Sequence, residues 1–200
     1  WNLPWRRSNW WRLVWRGAWD DKTCDLQMRV KTIKLKNWRN FQNAETDNLA
    51  DICYILGPNA SGKSNFLDAL RFLRDVANRD GGGLQSAIKK RGGVKKIRCL
   101  HVRRETDVEI DVTLEEDTGT LWRYVLAFSN PSRGKKIPLI KKEIIEITGD
   151  NNPKTKIERP NKSDKSDSAL LTQTYLEQVE KNKEFRKVTD FFSEISYVHL

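Results

Sequence analysis

Three patterns in this 200-residue chain predict an α/β fold. A short apolar run, a glycine-rich turn and a helical repeat follow one another between Asp51 and Arg74. Ahead of them, Arg29 to Leu35 alternates polar and apolar residues, as a strand with one solvated face does. Behind them, Asp107 to Leu114, Leu121 to Phe128 and Lys136 to Ile147 read as antiparallel strands. Asp117-Thr118-Gly119-Thr120 makes the hairpin turn between the first two.

Taken along the chain, the elements are as follows. Six of the eight tryptophans lie in the first 19 residues, interleaved with Arg6, Arg7, Arg12 and Arg16. Arg12 and Pro4 spoil any amphipathic helix there, and a signal peptide's continuous apolar core is lacking. Residues 1–27 are expected to lie upstream of the true start, because Met28, the one methionine, opens the alternating strand. Asp47-Asn48 reads as a turn, Asp51 to Leu56 as a buried strand, and Ser64 to Arg74 as a helix carrying Phe66, Leu67, Leu70 and Leu73 at helical spacing. Asp80-Gly81-Gly82-Gly83 marks a flexible break. Residues 28–148 are thus read as one lobe and 149–167, rich in Asn, Lys, Ser, Asp and Pro, as a polar linker. In 168–200, Leu171, Tyr175 and Val179, then Val188, Phe192 and Ile195, predict two amphipathic helices broken near Asn182. Ile195 to Leu200 alternates like a strand that stops without a cap, so a truncated C-terminus is expected.

The glycine-rich turn carries the chemistry. Gly57-Pro58-Asn59-Ala60-Ser61-Gly62-Lys63-Ser64 fits the phosphate-loop (Walker A) pattern G-x-x-x-x-G-K-[ST] at every fixed position. Strand, loop and helix supply its required context. Backbone N–H groups and the positive helix end can nest phosphate oxygens. Lys63 is expected to reach the β- and γ-phosphates, and Ser64 to offer its hydroxyl to Mg²⁺, with Asn65 next to them. A nucleoside triphosphate with Mg²⁺ is therefore the expected ligand, held by Gly57, Pro58, Asn59, Ala60, Ser61, Gly62, Lys63, Ser64 and Asn65; that it is ATP is implied by the resemblance that follows.

The residues around the loop carry a family resemblance. Asn59-Ala60-Ser61-Gly62-Lys63-Ser64-Asn65-Phe66-Leu67-Asp68-Ala69-Leu70 resembles the ABC-type ATPases of the SMC, RecF and RecN group. Met28 to Phe41 is similar to that group's opening strand and "N-F-R-x-F" turn, with Trp38 where Phe is more usual. Gly83 to Gly93 resembles bacterial predicted AAA-family ATPases related to RecF and OLD proteins. The resemblance implies a P-loop NTPase, an ABC-ATPase-like head with an antiparallel β-subdomain that is incomplete at the C-terminus. It also implies heads that dimerise around ATP, hydrolysis in the complete protein, and Arg39 and Asn40 near base or ribose. The family's acidic strand, catalytic Glu and Ser-Gly signature would lie far downstream. Val108 to Asp117 is the nearest acidic candidate here, but its alternation marks a half-exposed strand, and no catalytic residue is assigned.

Composition agrees with a cytoplasmic globular protein without a membrane partner. Residues are 38% apolar and 32% charged, and no apolar run approaches the ~18 residues of a membrane span. Cys24, Cys53 and Cys99 are odd in number and unpaired in pattern, arguing against a disulfide framework or zinc site. His101 and His199 are isolated. The net charge of +10 is concentrated: Lys89, Lys90, Arg91, Lys95, Lys96, Arg98, Arg103 and Arg104 place eight cations in sixteen residues around Gly92-Gly93, read as a mobile basic loop. Such a cluster suits DNA phosphates, or simply solvent. Three functions follow: an ATP-driven switch in DNA repair or phage defence, a nucleotide-dependent DNA clamp with little turnover, and a phosphotransferase. The loop's own sequence and the lack of a substrate-phosphate Arg lid disfavour the last.

Overall fold

A computed structural model describes residues 12–14, 28–102, 106–131, 137–149 and 152–196. Its backbone is one six-stranded antiparallel sheet covered on one face by helices. The strands are β2 (Met28–Trp38), β3 (Phe41–Glu45), β5 (Val108–Glu116), β6 (Leu121–Ser129), β7 (Leu139–Gly149) and β8 (Asn152–Arg159), in the order β3-β2-β5-β6-β7-β8. A separate two-stranded pair joins β1 (Arg12–Val14) to β4 (Ile52–Tyr54).

The alternation of β2 survives through a bulge. Val30, Ile33 and Leu35 are all buried, a spacing that a regular strand cannot deliver, and the register with β5 shifts between Val30 and Thr32. The hairpin of β5 and β6 pairs Glu115 with Leu121 and Val108 with Phe128, around the expected turn. On the inner face Ile110, Val112, Leu114, Tyr124, Leu126 and Phe128 meet α1 (Lys63–Ala77), α2 (Leu84–Lys90) and α5 (Arg186–Ser193). Phe72 of α1 sits at the centre, its ring 5.4 Å from Trp38 and 5.3 Å from Phe128. On the outer face Arg123 bridges Asp111 and Glu146, and Lys142 pairs with Glu109, so cross-strand ion pairs replace a second apolar layer.

Several expectations are corrected. The linker read over 149–167 contains β8, paired with β7 from Gly149–Asn152 to Glu143–Arg159, and α4 (Lys162–Ser166), started by an Asn161–Asp164 capping box. Its polarity misled because β8 is an edge strand and the cap residues are polar by function. The first of the two helices expected after residue 168 is a 3₁₀ turn, Ser168–Thr172, followed by irregular turns. Only the second forms, as α5, behind a 3₁₀ turn at Lys183–Phe185. Ile195 is buried but not in a strand, and 197–200 lie outside the described residues. So do Cys24, His199, Arg103, Arg104 and the Trp/Arg-rich segment apart from 12–14.

The break at 80–83 is tied to its surroundings at Gly83. Gly83, at φ +95°, caps α2 and donates its N–H to Asp75, and a Cβ there would lie 1.9 Å from Glu177 Oε2. The basic segment from Lys89 to Arg98 is not one loop: α2 is followed by α3 (Val94–Ile97), with Gly92-Gly93 as the tight connection.

Candidate nucleotide-binding site

The glycine loop spans from β4 to α1. Gly57, Pro58, Asn59, Ala60 and Ser61 are exposed, Gly62 is buried as the N-cap of α1, Lys63 and Asn65 are half-buried, and Ser64 is exposed. Helix α1 has no side-chain cap and no acidic residue in its first turn. Its leading amides and dipole are therefore available to an anion. Lys63 Nζ donates to the carbonyls of Gly57 (2.7 Å) and Pro58 (2.8 Å), so its ammonium bends over the loop it would share with a phosphate.

Gly62 is obligatory in this geometry. Its φ is +101°, and a Cβ would lie 2.5 Å from the Asn40 side-chain nitrogen and 2.8 Å from the Phe41 ring. The turn between β2 and β3 is thus the loop's back wall. Asn40 Oδ1 accepts from Asn65 Nδ2 at 2.9 Å, and its amide faces the Ser61 carbonyl at 3.4 Å. Trp38, fully buried, donates Nε1–H to the Asn65 carbonyl at 2.7 Å. Phe could not make that bond. Of the two residues that the resemblance implies near base or ribose, Asn40 braces the loop and Arg39 lies on Asp68 of α1 at 2.8 Å.

The strand ahead of the loop departs from expectation. It is short, and Ile52, Tyr54 and Leu56 are 51%, 61% and 68% exposed. Among the described residues only β1 pairs with it, because the six-stranded sheet closes around β2 and β5 without it. Its apolar sequence signals a buried environment that these residues do not build.

The basic cluster divides. Lys89, Lys90, Lys95 and Lys96 are exposed and Arg98 is half-buried beside Trp38. Arg91 is not available to a ligand in the same way: its side chain is 7% exposed and bridges Asp68 and Asp75. The acidic candidates of β5 are likewise engaged: Asp111 with Arg123, Glu115 with Lys31, and Glu116 with the Trp122 indole. No group of His, Cys, Asp and Glu suited to a metal ion occurs among the described residues. Cys53 and Cys99 are free thiols. No helix among the described residues is long and apolar enough to cross a membrane.

A glycine loop feeding an uncapped helix is the local geometry of a P-loop NTPase, although the strand ahead of the loop lies outside the six-stranded antiparallel sheet. The chain belongs to the family described as "AAA domain, putative AbiEii toxin, Type IV TA system", which matches residues 54–193. A second description, "P-loop containing region of AAA domain", matches residues 30–74. The chain is similar to the DNA replication and repair protein RecF of Lactococcus lactis subsp. cremoris, 31% identical over 87 residues, 44% of this chain and 24% of that protein. It is 44% identical over 89 residues to RecF of Streptococcus agalactiae, 44% of this chain and 24% of that protein. It is 38% identical over 94 residues to Endonuclease GajA of Bacillus cereus, 47% of this chain and 15% of that protein. The chain thus spans about a quarter or less of the length of these relatives. These likenesses set it in the SMC, RecF and OLD-like group of ATPases.

Proposed function

We propose that this chain is an ATP-binding module in which Gly57 to Ser64 wraps the triphosphate. Lys63 leaves the Gly57 and Pro58 carbonyls for the β- and γ-phosphates, Ser64 ligates Mg²⁺, and Asn65 keeps the loop joined to Asn40. One observation carries this reading. A 15-residue helix begins without a side-chain cap behind a loop that satisfies the whole phosphate pattern. Phosphate is the partner such a helix end favours.

ATP then acts as the glue between two copies, and its hydrolysis, within a longer protein, separates them. The exposed Lys89, Lys90, Lys95 and Lys96, with Arg98, lie on DNA during that cycle. RecF and GajA carry DNA repair and endonuclease in their names, which supports a role in repair or phage defence. A second reading, a nucleotide-dependent DNA clamp with little turnover, rests on the same exposed lysines. The two separate on turnover: DNA-stimulated phosphate release favours the switch, and ATP-dependent DNA affinity without release favours the clamp.

The experiment that tests the module is a calorimetric titration of Mg-ATP into the chain and into its Lys63→Ala variant. Binding to the parent with at least a ~100-fold loss in a folded variant is expected, from removal of a charge-assisted contact. Equal affinities would overturn the assignment.

A further inference from the structure

A second cationic site lies farther along α1. Asp68, Arg71, Arg74 and Asp75 of that helix line a cavity of about 540 Å³, completed by Arg39 from the β2–β3 turn and by Lys90 and Arg91 at the end of α2. Every one of these linings is charged: five cations against two carboxylates, a surplus of three positive charges. It is an open, charged cleft on the surface rather than an enclosed apolar pocket, so a charged ligand is the one that it suits.

The cations are pre-positioned rather than loose. Arg91 bridges Asp68 at 3.0 Å and Asp75 at 2.8 Å, and stacks its guanidinium 5.1 Å from the Phe72 ring centre. Arg39 lies on Asp68 and also donates to the Lys96 carbonyl at 3.1 Å. Arg74 joins Asp75 at 3.2 Å. Arg91, nearly buried, is the inner bridge that holds the two carboxylates in place, while the half-buried Arg39, Arg71 and Arg74 carry the cationic face and Lys90 closes the rim from an exposed position. Planar forks held in place are suited to phosphate oxygens.

We propose that this cavity binds a phosphate group, of a nucleic-acid backbone or of a free polyphosphate, and that Arg39 links its occupancy to that of the glycine loop. The link is short. Arg39 and Asn40 are adjacent, and while the first reaches into the cavity, the second holds Asn65 and faces Ser61 in the loop. A phosphate that draws Arg39 away from Asp68 shifts the turn that supports Gly62. Coupling of this kind is reciprocal: ATP must change phosphate affinity by the same factor. The link, unlike the site itself, rests on the ATP reading above.

The test starts from Lys63→Ala protein, so that the loop lysine cannot account for what binds. A labelled DNA duplex is titrated by fluorescence anisotropy and inorganic pyrophosphate by calorimetry. Adding Arg71→Gln and Arg74→Gln is expected to weaken at least one probe about tenfold, by loss of two charge-assisted contacts. Lys90→Ala, at an exposed position, should weaken the same probe about threefold without affecting the fold. Loss confined to DNA assigns a phosphodiester; loss confined to pyrophosphate assigns a free anion. Failure of both probes to bind, or no change in any folded variant, overturns the site whether or not ATP binds the loop. With Lys63 intact, a saturating amount of the bound probe should shift ATP affinity about threefold or more, and Arg39→Ala should abolish the shift. An unaltered ATP affinity overturns the link.

Discussion

The two ends of this molecule treat their polar groups in opposite ways. At the β7–β8 end a polar cluster is sealed. Arg159 is fully buried, donates to Glu143 at 2.9 Å and to Asp164 at 2.7 Å and 3.0 Å, and adds bonds to the carbonyls of Leu170 and Gln173. Glu143, equally buried, accepts from the Tyr124 hydroxyl and the Tyr175 amide, and Arg159 stacks on the Tyr175 ring at 4.0 Å. At the loop end a helix opens uncapped, a lysine rests on loop carbonyls, and the loop from Gly57 to Ser61 faces solvent. A polar group whose bonds are all made inside the protein holds structure; one left open to exchange partners is where a ligand enters. Charge and burial alone would have ranked the two ends the other way, since the more perturbed groups lie in the sealed cluster.

The sharpest way to break this contrast is to open the sealed end. Arg159→Ala leaves Glu143 and Asp164 buried without their partner and should cost about 3–5 kcal/mol of stability, read by urea denaturation. ATP affinity of the protein that remains folded should not change. Gly62→Ala does the reverse. It forces a side chain into the Asn40 contact at a left-handed φ, so ATP affinity should fall at least about tenfold while stability drops by only about 1–2 kcal/mol. If Gly62→Ala binds ATP normally, the loop is not the open end described here.

Trp38→Phe tests how far the turn supports the loop. It keeps an aromatic ring in the core and removes the bond to the Asn65 carbonyl, for an expected loss of about 1 kcal/mol in denaturation. The smallest effect is in pH. Hydrogen bonds from Arg159 hold the Asp164 carboxyl below the ordinary aspartate value. Its stabilisation is present above about pH 4 and is lost as the pH falls through and below that value. Burial drives Glu143 the opposite way, above the ordinary glutamate value, in spite of Arg159, so its contribution fades as pH rises. Comparison with Asp164→Asn isolates the aspartate: the stability gap between parent and variant should close as pH is lowered through about 4. A gap that is constant with pH would remove Asp164 from the acid limb.

Legibility in the sequence followed periodicity and motif. The β5–β6 hairpin and α1 were readable because each buries one face with a period of two or of 3.6, and β2 because its alternation persists on either side of the bulge between Val30 and Thr32. The loop was readable because the chemistry of phosphate demands particular residues at fixed spacing. What escaped was set by partners distant in the chain. β8 is polar because it is an edge strand, yet Arg159 at its end is buried by Glu143, sixteen residues away. The 171–179 segment has helical spacing, but Thr174 N–H and Tyr175 N–H are taken by the side chains of Glu177 and Glu143, which replaces helix with turns. Arg91 reads as one cation among eight and is instead an internal bridge. The Asn40 brace had no local signal beyond its place beside the opening strand.

Amide hydrogen exchange with and without Mg-ATP compares the two ends in one experiment. Added protection should appear at residues 57–65 and in the β2–β3 turn, with none in β7, β8 or residues 160–177. Protection centred on the Arg159 cluster, or none at the loop under saturating ATP, would contradict the assignment of the open end as the nucleotide site.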